Sequence, residues 1–374
     1  MDVCIAEVAD TTSPPAVLAL LDAVAALLPA MQARAALHDM AASFPDADMA
    51  GLRAAGAFAA PVPSALGGLG LGTERRRGPD LARLLRLVGR GNLVVGRAYE
   101  GHVNALRLVI RHGSPEQIRA ASSDARAGEL FAVWNTQASD APLVLTGERL
   151  HGAKVLATAA GFATRALVTA DLPDGSRQMV LVPLAPGERA DLSGWTAQGM
   201  RGSATGRVTF DGIRAPASWL IGGPDDYIRQ PDFSGGAWRV LAVLAGGLDA
   251  LIDAFRAHLT ERRRDGDPHQ QARAGRLFAL QNTVRLWVMQ IAEIAEASAD
   301  GGLIVALTDL ARGAVEAACV EALSLVERSL GLRALMRPEP VERIARDLST
   351  YLRQPAPDAA LTGAARYFLR AELP

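Results

Sequence analysis

The sequence predicts an α+β multidomain fold: an N-terminal helical domain, a middle β-barrel or sandwich domain and a C-terminal helical bundle. Three observations predict it. Leucines and valines recur at helical spacing up to about residue 125. Between residues 129 and 222 the texture changes to short apolar runs bounded by Gly, Pro and Asp. After about Asp232, long amphipathic stretches with short links suit an antiparallel bundle. The expected domains are 1–128, 129–222 and 223–374.

In the first domain, Leu18, Leu21, Val24, Leu27 and Leu28 recur at helical spacing. Ala-rich segments near Met31–Ala42 and Leu81–Val88 continue the pattern. Pro61, Pro63 and the glycines at 67, 68, 70 and 72 interrupt it with a loop. A further helix is expected over Leu93–His112, and Ser114-Pro115-Glu116 reads as a cap, a first-turn proline and an acid at the next helix start. Strands are expected at Leu130–Trp134, Leu143–Leu145, Leu167–Thr169, Met179–Pro183 and Arg207–Phe210. Asp174-Gly175 and Asp211-Gly212 read as hairpin turns. The bundle helices are expected at Trp238–Arg263, Ala272–Ala299, Ile304–Leu330 and Glu339–Leu352, followed by a Pro-rich exposed tail. The bundle's generous apolar surface suggests a homo-oligomer.

Composition narrows the functional classes. The chain has 374 residues, 49% of them hydrophobic, and a formal net charge of -1. That balance argues against a nucleic-acid partner. Its basic residues are arginines except for Lys154. The two cysteines, Cys4 and Cys319, lie far apart and form no disulfide framework. Asp2, Glu7 and Asp10 stand where a secretory leader needs basic residues, and no uninterrupted apolar run reaches about 18 residues. The expectation is a cytoplasmic protein with no membrane insertion. No dinucleotide fingerprint, P-loop or nucleophile elbow occurs. The histidines at 38, 102, 112, 151, 258 and 269 show no metal-ligand spacing, so no metal is expected.

Four segments carry more: Val62–Gly72, Phe131–Asp140, Trp195–Pro216 and Glu261–Pro268. In order and spacing they resemble the acyl-CoA dehydrogenase family, and the resemblance spans nearly the whole chain. It implies a four-helix bundle at the C-terminus, with FAD between bundle and β domain. Part of the FAD site would be lent by a neighbouring subunit of a homodimer or homotetramer. The implied reaction is Cα–Cβ dehydrogenation of an acyl-CoA or other acyl thioester, with a flavoprotein as electron acceptor. A carboxylate takes the α proton while flavin N5 takes the β hydride.

The resemblance also implies site residues. Trp134 and Asn135 stand where the family has Thr-Glu, Thr136 follows them, and Ser139 and Asp140 match its Ser-Asp. An indole face and an amide suit an aromatic heterocycle; the alternative is a core Trp and a turn Asn. Thr158 matches the hydroxyl near the flavin edge, or is an ordinary strand threonine, and Leu156 replaces the aromatic that shields the ring. Ser203 and Thr205 read as turn residues that bond backbone. Arg262 matches an Arg that reaches the cofactor across a subunit interface, or ends a helix in solvent. Near Arg346-Asp347, where the family's base loop follows, Pro355 stands in place of the glutamate. The remaining catalytic candidates are Glu100, otherwise a solvated helix carboxylate, and Asp358, otherwise part of the exposed tail. Two other functions fit the altered base: a flavin monooxygenase on the same fold, with His102 or Ser139 near flavin C4a, and a non-catalytic binding or assembly module.

Overall fold

The computed structural model describes residues 13–353 and 355–373; Cys4, Asp2, Glu7 and Asp10, on which the leader reading rests, lie outside them. Among the described residues five α-helices come first: α1 (Pro15–Ala41), α2 (Asp46–Ala54), α3 (Gly78–Gly91), α4 (Leu93–His112) and α5 (Pro115–Ala127). Local chemistry sets their ends. The Asn92 side chain accepts from the Val94 N–H to start α4. Ser114 and Gln117 form a reciprocal capping box at α5, and Gly128, at φ 91°, stops it in a left-handed turn.

Nine strands follow: β1 (Phe131–Trp134), β2 (Val144–Thr146), β3 (Arg149–His151), β4 (Ala153–Ala157), β5 (Arg165–Asp171), β6 (Arg177–Pro183), β7 (Ala190–Asp191), β8 (Gly206–Thr209) and β9 (Leu220–Ile221). One sheet runs β3-β2-β5-β6-β9, with β1 also paired to β5; the other runs β4-β8-β7. Asp174-Gly175 turns the β5–β6 hairpin, with Gly175 at φ 86°. Asp211-Gly212 does not make the expected hairpin. The Gly152 N–H bonds the Asp211 carboxylate and the Gly212 N–H bonds Leu150, so residues 206–214 bend while continuing alongside 149–157.

The bundle holds α6 (Asp232–Gly235), α7 (Trp238–Glu261), α8 (Pro268–Ala297), α9 (Gly301–Leu330), α10 (Pro340–Tyr351) and α11 (Pro357–Phe368). The last corrects the expectation of an exposed tail: α11 packs on α9. Pro357 occupies the first turn of that helix, where no N–H is needed. Asp358 is exposed in that turn.

A main core runs through all three regions, and a smaller one joins α4 and α5 to the sheet through Leu106, Val109, Phe131, Leu167 and Met179. By length and composition alone α1 could cross a membrane. Here its Val17, Leu20, Val24, Leu28 and Met31 are buried, and the helix packs on α3.

Candidate active site

A cleft of about 490 Å³ opens where α4, the rims of both sheets and the bundle meet. Three surfaces line it. From α4 come Arg97, Glu100, Asn104 and Arg107; from the β region Val133, Trp134, Asn135, Thr136, Leu156, Thr158, Trp195, Met200, Ser203 and Thr205; from the bundle and its approach Tyr227, Asp232, Arg239, Tyr351 and Arg353.

The β wall is aimed by a bulge. The β4–β8 register shifts between Lys154 and Ala157, and Leu156 takes a left-handed conformation at φ 53°. That turns Leu156 into the cleft, 59% exposed. Trp134 is buried edge-on to Phe210, and its indole N–H donates to the Thr158 carbonyl at 2.9 Å. Thr158 Oγ1 lies 3.4 Å from Thr205 Oγ1, which pairs with Ser203 Oγ at 2.7 Å. The hydroxyls of Ser203 and Thr205 thus bond one another beside the cleft rather than only closing a turn. The Trp195 indole N–H donates to the Met200 carbonyl at 3.0 Å.

The α4 wall is a chain of charge. Arg97 donates to Glu100 at 2.5 Å, the Asn104 amide donates to the other Glu100 oxygen, and Arg239 donates to Asn104. Arg107 and Arg111 both hold Asp232, at 3.1 Å and 2.5 Å. Burial opposes the Arg97 charge, but Glu100 and Tyr351 together hold its pKa above the ordinary value. Arg239 has no such acid at contact: burial and the nearby Arg107 bring it down to about 9. Among the described residues lining the cleft, four guanidinium groups face two carboxylates, and both carboxylates are bound by arginine. This wall can hold an anionic group.

The expected site residues divide. Trp134, Asn135, Thr136, Thr158 and Glu100 meet at the cleft; Ser139, Arg262 and Asp358 are exposed and outside its lining. His102 does not face the cleft. It is buried, with Nε2 against the Phe58 carbonyl at 2.9 Å and Nδ1 accepting from the Phe131 N–H at 3.2 Å. Sequence reasoning passed over Arg97, Asn104, Arg107 and Arg239. Residues 97, 100, 104 and 107 are polar at helical spacing, a pattern that the solvated face of a lone helix shows equally. The donor set fits a flavin: the hydroxyl and amide groups of Asn135, Thr136, Thr158, Ser203 and Thr205 lie beside the apolar Val133, Leu156 and Met200, as a flat heterocycle with a polar edge requires.

No known family model matches the chain. It is 30% identical over 310 residues to L-evernosamine nitrososynthase from Micromonospora sp. (strain ATCC 39149 / NRRL 15099 / SCC 1413), covering 74% of this chain and 71% of that one. The structure of KijD3 with FMN and dTDP-3-amino-2,3,6-trideoxy-4-keto-3-methyl-D-glucose superposes with a TM-score of 0.78 at 25% identity, over 96% of this chain and 94% of that one. Butyryl-CoA dehydrogenase from Megasphaera elsdenii shares the fold, with a TM-score of 0.83 at 15% identity over 96% of this chain and 100% of that one.

Proposed function

The chain belongs to the acyl-CoA dehydrogenase family of flavoenzymes, and on that premise we propose that it oxygenates the amino group of a nucleotide-linked sugar. It is a flavin-dependent oxidoreductase, which sets aside the non-catalytic reading. The observation carrying the finer reading is that both cleft carboxylates, Glu100 and Asp232, are bound by arginine. A base for α-proton abstraction needs a free carboxylate in reach of the substrate. The Arg239 guanidinium, which has no carboxylate at contact, together with the donors that Arg97 and Arg107 keep beyond their own ion pairs, instead suits a diphosphate.

When bound, the flavin supplies the redox chemistry with molecular oxygen. FAD would be held by Trp134, Asn135, Thr136 and Thr158 at the cleft. Ser139 would serve at the neighbouring turn, and Arg262 would reach a second subunit of a homodimer or homotetramer. The chain's own work is to bind and orient: the arginines fix the anionic end, and Val133, Leu156 and Met200 exclude water from the reacting end. A cytoplasmic setting agrees with the free, buried Cys319.

Cα–Cβ dehydrogenation of an acyl thioester is the second reading, favoured by Glu100 lying in the cleft lining. One experiment separates the two. With reduced flavin and oxygen, dTDP-linked amino sugars are expected to yield a nitrogen-oxidised product. Anaerobic bleaching of the flavin by an acyl-CoA, with no product from the amino sugar, would overturn the first reading.

A further inference from the structure

The sole lysine of the chain is fully buried behind the β wall of the cleft, on β4. A buried ammonium normally sits against a carboxylate. Lys154 Nζ instead donates to three neutral acceptors: the Asn135 carbonyl at 2.9 Å, Gln137 Oε1 at 3.0 Å and Thr169 Oγ1 at 3.1 Å. These satisfy all three of its hydrogens. The charged groups acting on it are Asp171 of β5 and Arg177 of β6.

The hydrogen count fixes the next link. An ammonium only donates, so Thr169 must accept from it and has one hydrogen left to give. That hydrogen goes to Asn135 Oδ1 at 2.7 Å. Asn135 lines the cleft. With its oxygen held from behind, its Nδ2 donor is the polar atom left for a ligand.

We propose that Lys154 is a positioning residue. Through Thr169 it sets the direction of the Asn135 amide, so that the cleft presents a donor to an acceptor atom of the flavin ring. The inference rests on the flavin reading above. Without the ammonium, Thr169 is free to accept from Asn135, and the amide can turn over and present an oxygen instead.

The test has one arm without flavin and one with it, both run at pH 6, below the value of about 7 to which burial brings Lys154. Lys154→Met and Thr169→Val cut the relay at two points, the second leaving the ammonium in place; melting curves confirm that each variant folds. In the flavin-free protein, NMR of the Asn135 side-chain NH2 is expected to show a changed environment in both variants. In the second arm, each is expected to weaken FAD binding about tenfold, the loss of one hydrogen bond to the ligand. Each should also shift the bound flavin's visible absorption. Lys154→Met combined with Asn135→Ala should bind no more weakly than Asn135→Ala alone. An unchanged Asn135 signal, wild-type FAD affinity in a folded Lys154→Met, or losses that multiply in the double variant would overturn the proposal. Failure of the unaltered chain to bind FAD would instead overturn the flavin reading, and the flavin-free arm would still decide the relay.

Discussion

Two residues apart on α4, Glu100 and His102 do opposite things. The donor at its Nδ1 and the acceptor at its Nε2 make His102 a neutral imidazole with its hydrogen on Nε2. Burial brings its pKa down to about 4. The folded value lies below the unfolded value of about 6.5, so this contribution to stability is full above pH 6.5 and fades as pH falls toward 4. Urea unfolding should show wild type losing on the order of 3 kcal/mol over that window through this group. His102→Gln, which keeps a donor and an acceptor, should lack that part of the slope. Arg97 and Asn104 occupy both oxygens of Glu100. Were it the base, Glu100→Gln would lower kcat by about 10² to 10⁴. As a residue that positions Arg97, it should instead raise KM and leave kcat within about tenfold. The split between kcat and KM decides.

Helices α3 and α7 cross on glycine. A Cβ on Gly246 would strike the Arg86 carbonyl oxygen, and one on Gly89 would strike that of Val243. The close approach lets two ion pairs flank the crossing, Arg86–Asp249 at 2.6 Å and Arg90–Asp253 at 2.7 Å. Gly246→Ala should therefore push the helices apart and destabilise by about 1–3 kcal/mol, read as a lowered melting temperature. Gly275→Ala, mid-α8 with open space around it, should be neutral or stabilising by up to about 1 kcal/mol. The helices themselves were legible because their signals are local: the Leu93–His112 span and the Ser114 cap need only neighbouring residues. The charged cleft wall was not, because Arg97, Glu100, Asn104 and Arg107 on a lone helix read as a solvated face. Only when β1 and α7 close over them do they become an interior. Ser203 and Thr205 likewise become a site only where their turn meets Thr158. Helix α11 was missed because Pro355 and Pro357 carry the same local signal at a helix start as in a loop.

The three regions are clamped at one turn of α10. Arg346 bonds Asp39 of α1 at 2.7 and 3.0 Å, the Gln198 carbonyl of the β region at 2.6 Å and Glu342 of its own helix at 2.6 Å. Its hydrogen bonds to Glu342 and Asp39 hold its pKa well above the ordinary value. Asp347 accepts from the Met200 N–H at 2.5 Å, and Thr350 Oγ1 accepts from the Gly199 N–H at 3.2 Å. Gly199 is needed here, since a Cβ would land on the Arg346 carbonyl. The clamp matters for the cleft because Met200, Thr350 and Tyr351 all line it. Loosening α10 should therefore open the site before it unfolds the molecule. Arg346→Met leaves Asp39, 7% exposed, without its principal cation, which should cost about 3 kcal/mol. Hydrogen exchange should then rise first in residues 195–203 and in α10, while α8 and α9 keep wild-type protection. Uniform loss of protection across the chain would show instead that Arg346 supports general stability and does not hold the cleft together.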